Sequence, residues 1–128
     1  MINEYIIHQS IKTIKSLLTD DLRKKKYKGN PIRSAGHCYV ASETLYHFLG
    51  GKSSGLKPMF IRYDGEPHWF LMWNDLIIDA TCDQFYIRVP YSRAKGKGFL
   101  TKFPSKRSKI LLDRLYKESL SWDTIVWL

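Results

Sequence analysis

Apolar side chains recur at helical spacing from the beginning of the chain. Five of them follow one another at intervals of four, three, four and four residues: Ile7, Ile11, Ile14, Leu18 and Leu22. This spacing puts them on one face of a helix, which we predict over residues 4–26. Its last turn is basic, which suits the dipole at a helix C-terminus, and Gly29-Asn30-Pro31 ends it.

A second helical stripe follows Cys38. It consists of Val40, Ala41, Thr44, Leu45, Phe48 and Leu49. The stripe predicts a helix over residues 38–49, and Gly50-Gly51 provides a C-terminal cap.

Short runs of aromatic and branched residues then replace the helical spacing. They predict strands over residues 57–63, 68–73, 76–81 and 84–89. Turn residues separate the first three strands, at 64–67 and at 74–75. We therefore expect an antiparallel meander.

The last third of the chain predicts a loop over residues 91–104, a helix that starts near Ser105, and a docked apolar tail over 122–128. The side chains expected to be buried by this helix are Ile110, Leu111, Leu115 and Tyr116. The fold class is therefore α+β, with N-terminal helices packed on a small antiparallel sheet and a closing C-terminal helix. At 128 residues the chain is expected to form a single domain over 1–128.

Composition favours a folded protein of the cytoplasm. Hydrophobic residues make up 44% of the chain, which is enough for a core. The longest apolar runs, such as 69–73, are far shorter than the roughly 20 residues of a membrane span, and no secretion signal is recognisable. Cys38 and Cys82 are therefore expected to be free thiols. No CxxC or HxxxH spacing occurs, so we expect no metal ion and no cofactor.

The net charge of +9 is concentrated in two segments, 23–28 and 88–107. Such charge favours anionic partners, which include an acidic or phosphate-bearing substrate and nucleic acid. Within the second segment, Lys95, Lys97 and Arg107 are candidate substrate-binding residues. We expect no membrane partner.

Three residues predict a chemistry. Cys38 follows Gly36 at the start of the second helix, His68 begins a strand, and Asp79 lies near the end of the next strand. The first turn of a helix and a nearby imidazolium both favour the thiolate, which is the reactive form of cysteine. An imidazole accepts the thiol proton, and a carboxylate fixes the orientation of the imidazole.

The length of one turn decides whether His68 and Asp79 meet. If residues 74–75 form a two-residue turn, Trp73 lies opposite Leu76. Because opposed residues share a face, as do residues two apart on a strand, His68 and Asp79 then become diagonal neighbours about 7–8 Å apart at the backbone. A three-residue loop would put them on opposite faces.

The Gly-x-Cys at a helix start, the later His and the Asp that closes the next strand resemble papain-like and transglutaminase-like thiol enzymes. The order Cys, His, Asp is shared by transglutaminases, arylamine N-acetyltransferases and NlpC-type cell-wall peptidases. The resemblance covers residues 34–80 and implies an α+β core whose cysteine helix packs across the sheet. It also implies that Cys38 is the nucleophile, His68 the base and Asp79 the orienting residue of acyl-group chemistry.

Papain-like enzymes usually place an oxyanion-hole glutamine shortly before the cysteine, and this chain has none there. Asn30 is the only side-chain amide in residues 30–35, and His37 is another candidate donor. Trp69, next to the expected base, is a candidate wall of the substrate cleft.

The functional expectation is a small cysteine-dependent hydrolase or acyl transferase of the peptidase, amidase or deamidase type. The alternative is a basic module on a transglutaminase-like fold that binds nucleic acid or a protein and has no catalysis.

Overall fold

The computed structural model describes residues 2–32, 35–63, 65–82 and 88–122, apart from the side chain of Tyr63. These residues form three α-helices and a four-stranded antiparallel sheet, which confirms the α+β class. The helices are α1 (Glu4–Leu17), α2 (Cys38–Phe48) and α3 (Lys106–Ser119). The strands are β1 (Leu56–Tyr63), β2 (Glu66–Trp73), β3 (Leu76–Ile78) and β4 (Lys95–Gly96), in the sheet order β3-β2-β1-β4. Among the described residues, no helix has the length and apolar character needed to cross a bilayer.

The prediction that the first helix extends to residue 26 was wrong, because α1 ends at Leu17. Leu18 is extended, with ψ of 124°, and short 3-10 turns replace the helix over Asp20–Leu22 and Lys25–Tyr27. The side chain of Asp20 accepts a hydrogen bond from the backbone N–H of Gly29 at 2.9 Å. Such local bonds from Asp and Thr side chains compete with helix continuation. The segment 24–28 is therefore not a helix C-terminus.

The second helix begins at Cys38 as predicted and ends at Phe48. Its apolar stripe is buried at Val40, Ala41 and Leu45. The chain leaves the helix through Gly50, which has φ of 118°, a conformation that glycine adopts without steric cost.

The β2–β3 hairpin has the predicted two-residue turn. Trp73 lies opposite Leu76, and Asn74 has φ of 55°, a left-handed conformation that asparagine tolerates and such turns require. Pairing ends at Ile78, three residues earlier than predicted. Asp79 therefore follows the strand directly.

The other strand predictions are partly confirmed. β2 begins at Glu66, so the predicted turn over 64–67 is shorter, and Asp64 lies outside the described residues. The predicted loop over 91–104 contains β4, which pairs with Met59 and Phe60 at the edge of the sheet. Of the predicted strand 84–89, residues 84–87 lie outside the described residues and 88–89 are not in a strand.

The main core lies between the three helices and one face of the sheet. Its fully buried members include Ile7, Ile14, Leu45, Leu71, Ile78, Leu111 and Leu115. A smaller cluster on the other face contains Met59, Ile61, Phe70 and Val89. Because side chains alternate along a strand, His68 shares its face with Phe70, whose ring lies 6.2 Å from the imidazole.

The closing helix is confirmed. Ser105 caps α3 by accepting a hydrogen bond from the backbone N–H of Ser108. Leu111 and Leu115 are buried, but Ile110 and Tyr116 are 39% and 52% exposed and the prediction that they are buried was wrong. Tyr116 lies at the margin of the buried face, with its ring centre 5.2 Å from that of Phe48. Trp122 packs against Phe48, and the rest of the predicted docked tail, residues 123–128, lies outside the described residues.

Candidate active site

The short hairpin brings His68 and Asp79 into direct contact. Nε2 of His68 lies 2.6 Å from Oδ2 of Asp79, and both side chains are buried. Because an ionised carboxylate only accepts hydrogen bonds, Nε2 is the donor. Nδ1 is therefore the ring nitrogen left for other chemistry.

Two further groups hold the Asp79 carboxylate. The hydroxyl of Tyr91 donates to Oδ2 at 2.8 Å, and the backbone N–H of Thr81 donates to Oδ1 at 3.1 Å. Burial and the Asp79 charge raise the pKa of Tyr91 far above its usual range, so its hydroxyl stays a donor. The Tyr91 ring also packs edge-on against Phe70 at 4.9 Å.

Cys38 lies at the first residue of α2, partly buried, and faces the same histidine. Its thiol lies 3.7 Å from the backbone oxygen of Pro67, the residue before His68. One turn later, Ser42 donates a hydrogen bond to the backbone oxygen of Trp69 at 3.1 Å. The start of the helix is thus fixed against β2 on either side of the imidazole.

The electrostatics of His68 reflect both neighbours. Burial alone lowers the pKa of His68, but hydrogen bonds and negative charge from Asp79 and Cys38 outweigh burial and raise this pKa from 6.5 to about 9. An imidazolium is therefore favoured beside the thiol at neutral pH. Cys38, His68 and Asp79 form one connected chain of polar contacts.

Of the two candidate donors to the oxyanion, Asn30 lies at the cleft and His37 does not. Asn30 lines the cleft in front of Cys38, and its Oδ1 accepts a hydrogen bond from the backbone N–H of Ile32 at 2.9 Å. His37 is 1% exposed and does not line that cleft, because its Nε2 lies 2.9 Å from the backbone oxygen of Thr19. The structure does not bring His37 to the substrate side of Cys38.

A buried arginine organises the segment that leads into α2. Arg23 is 5% exposed. Its guanidinium donates to the backbone oxygens of Ala35, Asn30 and Ile32 at 2.8, 3.0 and 2.6 Å, and to Asp20 at 2.8 Å. The sequence places Arg23 in the basic segment 23–28, where nothing local distinguishes it from its lysine neighbours.

Gly36, two residues before Cys38, is held in a conformation that excludes other residues. Its φ is 76°, and an added Cβ would lie 2.5 Å from Cβ of Tyr27. We expect Gly36→Ala to lower the free energy of unfolding by about 1–3 kcal/mol, through backbone strain and displacement of Tyr27. Urea unfolding measures this change. Gly98→Ala is the matched control, because nothing lies within 4 Å of that position; equal effects of both substitutions would contradict the prediction.

A large cleft opens in front of Cys38. It has a volume of about 1290 Å³ and is walled by α2, β2, residues 22–32 and 35–36, and the start of α3. Trp69 and Arg107, two predicted substrate-binding residues, line it. The 3-10 segment also contributes Lys24 and Lys26, so part of the first basic cluster faces the cleft.

The other two predicted substrate-binding residues lie elsewhere. Lys95 and Lys97 are exposed and do not line the cleft. Lys95 belongs to β4 at the sheet edge, and Nζ of Lys97 lies 4.4 Å from the centre of the Phe60 ring. The sheet edge places these side chains outside the cleft, although Lys97 is also 5.7 Å from the Trp69 ring centre.

A fully buried carboxylate fixes the α3 wall of the cleft. Glu43 on α2 accepts hydrogen bonds from the hydroxyls of Ser105 and Ser108, each at 2.5 Å, and from the backbone N–H of Ser105 at 3.3 Å. The start of α3, and with it Arg107, is therefore tied to the helix that carries Cys38. Nothing in the sequence around Glu43 distinguishes it from a charge on a helix surface.

Within the described ranges, no cluster of three or more His, Cys, Asp or Glu side chains is arranged to hold a metal ion. Cys38 and Cys82 do not form a disulfide. Comparison of the chain with protein-family models, with curated proteins and with solved structures found no match.

Proposed function

We propose that this protein is a small cysteine hydrolase or acyl transferase that acts on an amide-like carbonyl. Cys38 is the nucleophile, His68 the general base and acid, and Asp79 the orienting carboxylate. The observation that carries the proposal is the connected arrangement of these side chains, in which Cys38 lines a large cleft and His68 and Asp79 are buried behind it. His68 is bonded to Asp79 at 2.6 Å, and Asp79 and Cys38 together raise the pKa of His68.

In the proposed reaction, Cys38 and His68 begin as a thiolate–imidazolium pair, in which the proton of the thiol already lies on Nδ1 of His68, and the Cys38 sulfur attacks the carbonyl carbon. The tetrahedral intermediate collapses when His68 returns the proton to the leaving group, leaving a thioester on Cys38. Water, or an amine in a transferase, then attacks the thioester after losing a proton to His68, and the thiol is released. Asp79 holds the tautomer and stabilises the imidazolium throughout.

The start of α2 supplies the charge stabilisation in this proposal. Its N-cap residue, His37, makes no capping hydrogen bond with its side chain. Backbone N–H groups of the first turn, including that of Cys38, are the donors we propose for the oxyanion, and Asn30 at the cleft wall is the side-chain candidate.

A papain-like or transglutaminase-like core is part of the proposal. It is supported by the order of the elements, since the helix that begins with Cys38 precedes β2, which carries His68, and β3, which Asp79 follows, and packs on the central strand β2. The cytoplasm is the compartment we propose, because Cys38 and Cys82 form no disulfide.

The second candidate function is a basic module that binds nucleic acid or an acidic protein without catalysis. The observation that favours it is the excess of lysine and arginine around the cleft. In that function the thiol has no special reactivity.

Alkylation separates the two candidates. Cys82 is exposed and Cys38 is partly buried, so accessibility alone predicts that iodoacetamide modifies Cys82 first at pH 7. We expect the reverse, with Cys38 modified at least about tenfold faster, because the thiolate is the reacting form. Peptide mass mapping of a time course measures both rates in one sample, and His68→Ala should slow only the Cys38 reaction.

Catalysis itself is tested with p-nitrophenyl acetate. The native protein should release one equivalent of p-nitrophenol in a burst and then turn over slowly. Cys38→Ala should abolish the burst, whereas Cys82→Ala should leave it unchanged. Faster alkylation of Cys82 than Cys38, together with no burst, would exclude the thiol enzyme.

A further inference from the structure

The cleft in front of Cys38 carries a strong excess of positive charge. Six basic side chains line it: Lys24, Lys26, Arg62, Arg93, Lys106 and Arg107. Glu66 is the single acidic residue among the described lining residues, and the hydroxyl of Tyr27, Lys26 and Arg62 hold its pKa below the usual value. Lys26 lies 3.4 Å from this carboxylate, which leaves most of the positive charge uncompensated.

The basic side chains come from separate parts of the fold. Lys26 and Arg62 lie at the β1–β2 end of the sheet, where Lys26 contacts Glu66. Lys106 and Arg107 lie at the start of α3, which Glu43 ties to the helix that begins with Cys38. A ligand that satisfies both groups must carry several negative charges and be extended.

The walls between these groups are apolar. Aliphatic side chains line the cleft at Leu22, Ile32, Val40 and Leu100. A cleft that combines basic and aliphatic side chains suits an extended ligand in which carboxylates alternate with aliphatic groups.

Trp69, the tryptophan of the cleft, is poorly placed for stacking nucleic-acid bases. Trp69 is 6% exposed; its ring stacks on Phe99 at 5.5 Å, and Tyr39 and Phe60 approach it edge-on at 5.1 Å. Single-stranded nucleic acids require open ring faces on which bases stack. The described lining therefore favours a peptide.

We propose that the substrate is an acidic peptide segment, held by ion pairs between its carboxylates and the basic side chains of the cleft, which presents an amide carbonyl to Cys38. This inference rests on the proposed function for the attack on the carbonyl. The choice of an acidic peptide rests on the charge and lining of the cleft.

The experiment uses three peptide chloromethyl ketones that share one electrophile and differ in charge. Their sequences are Glu-Leu-Glu-Ala, Gln-Leu-Gln-Ala and Lys-Leu-Lys-Ala. We expect the acidic peptide to alkylate Cys38 at least about tenfold faster than the neutral one, and the basic peptide to be slowest. In 1 M NaCl, where the screening length is about 3 Å, the advantage should fall below about threefold.

Charge reversal tests the location of the effect. Arg62→Glu and Arg107→Glu should each reduce the ratio of the acidic to the neutral rate by at least about threefold. Lys109→Glu makes the same charge change on α3 at an exposed residue outside the cleft and should leave the ratio unchanged. Each rate is divided by the iodoacetamide rate of the same variant, which removes changes in the thiol itself. If a reversed variant does not fold, Arg62→Gln or Arg107→Gln replaces it.

The outcomes keep the two proposals apart. Preferential iodoacetamide modification of Cys38 with equal rates for the three peptides would overturn the acidic substrate and leave the thiol enzyme standing. Absence of that preferential modification would overturn the proposed function. A 20-nucleotide single strand that blocks Cys38 at a lower concentration than a glutamate peptide of equal charge would assign the cleft to nucleic acid and overturn this inference.

Discussion

Asp79→Asn is expected to lower the pKa of His68 from about 9 toward its ordinary value of 6.5, and to slow turnover of the ester by about 10²- to 10⁴-fold. The substitution replaces the charged acceptor 2.6 Å from Nε2 with a neutral amide of the same shape. The buried imidazole then loses its main charge partner while the burial that opposes its protonation remains. The substitution therefore weakens the control of both the tautomer and the orientation of the His68 ring.

The same substitution should change how stability depends on pH. Because the pKa of His68 is raised on folding, its protonation stabilises the native protein fully below about pH 6.5, and this contribution is lost as the pH rises through about 9. The difference between pKa values of 6.5 and about 9 corresponds to about 3 kcal/mol in the free energy of unfolding of the native protein. Asp79→Asn should flatten that part of the stability profile.

Two measurements check these expectations. The NMR signal of the His68 ring gives its pKa by titration, and urea unfolding between pH 6 and 10 gives the stability profile. Asp113→Asn is the matched control, because Asp113 is exposed and pairs with Lys117 on its own helix. An unchanged pKa of His68 in Asp79→Asn would show that Asp79 does not orient this base.

The pairing of His68 with Asp79 could be predicted from the sequence because it depends on local geometry. A two-residue turn at 74–75 fixes the register of the hairpin, and the alternation of a strand then determines which side chains share a face. Cys38 was recognisable because it lies at the start of a stripe with helical spacing. Each of these inferences spans only a few residues of chain.

The parts that could not be predicted depend on contacts distant in sequence. Tyr91 reaches Asp79 across 12 residues, and Glu43 reaches Ser105 across 62. Neither tyrosine nor glutamate stands out in its own segment, and only the folded chain brings the partners together. The pattern-based helix likewise ran past Leu17, because Leu18 and Leu22 are buried although the backbone between them is not an α-helix.

Arg23 shows how this irregular segment contributes to the site. A continuous helix would have carried Arg23 to a surface turn, whereas the 3-10 segments bury its guanidinium against the backbone oxygens of Ile32 and Ala35. The same change of backbone directs Lys24 and Lys26 toward the cleft. The end of α1 at Leu17 thus lets Arg23 hold the segment before Cys38 and also brings part of the positive charge to the cleft.

Arg23→Leu should lower the free energy of unfolding by about 3–5 kcal/mol, since it leaves the backbone oxygens of Asn30, Ile32 and Ala35 without their shared donor. The released segment leads directly into α2, so the rate of Cys38 alkylation under folding conditions should also fall. Urea unfolding and the iodoacetamide time course measure the two effects.

Lys25→Leu serves as the control for Arg23→Leu, because it removes the same charge two residues later from an exposed side chain; we expect a change within about 0.5 kcal/mol. Arg23→Lys retains the charge but lacks the planar fork of donors, and it should lie between the native protein and Arg23→Leu. If Arg23→Leu and Lys25→Leu are equally stable, the guanidinium does not hold the segment. If Arg23→Leu is unstable but alkylation of the folded fraction is unchanged, Arg23 supports the fold without positioning Cys38.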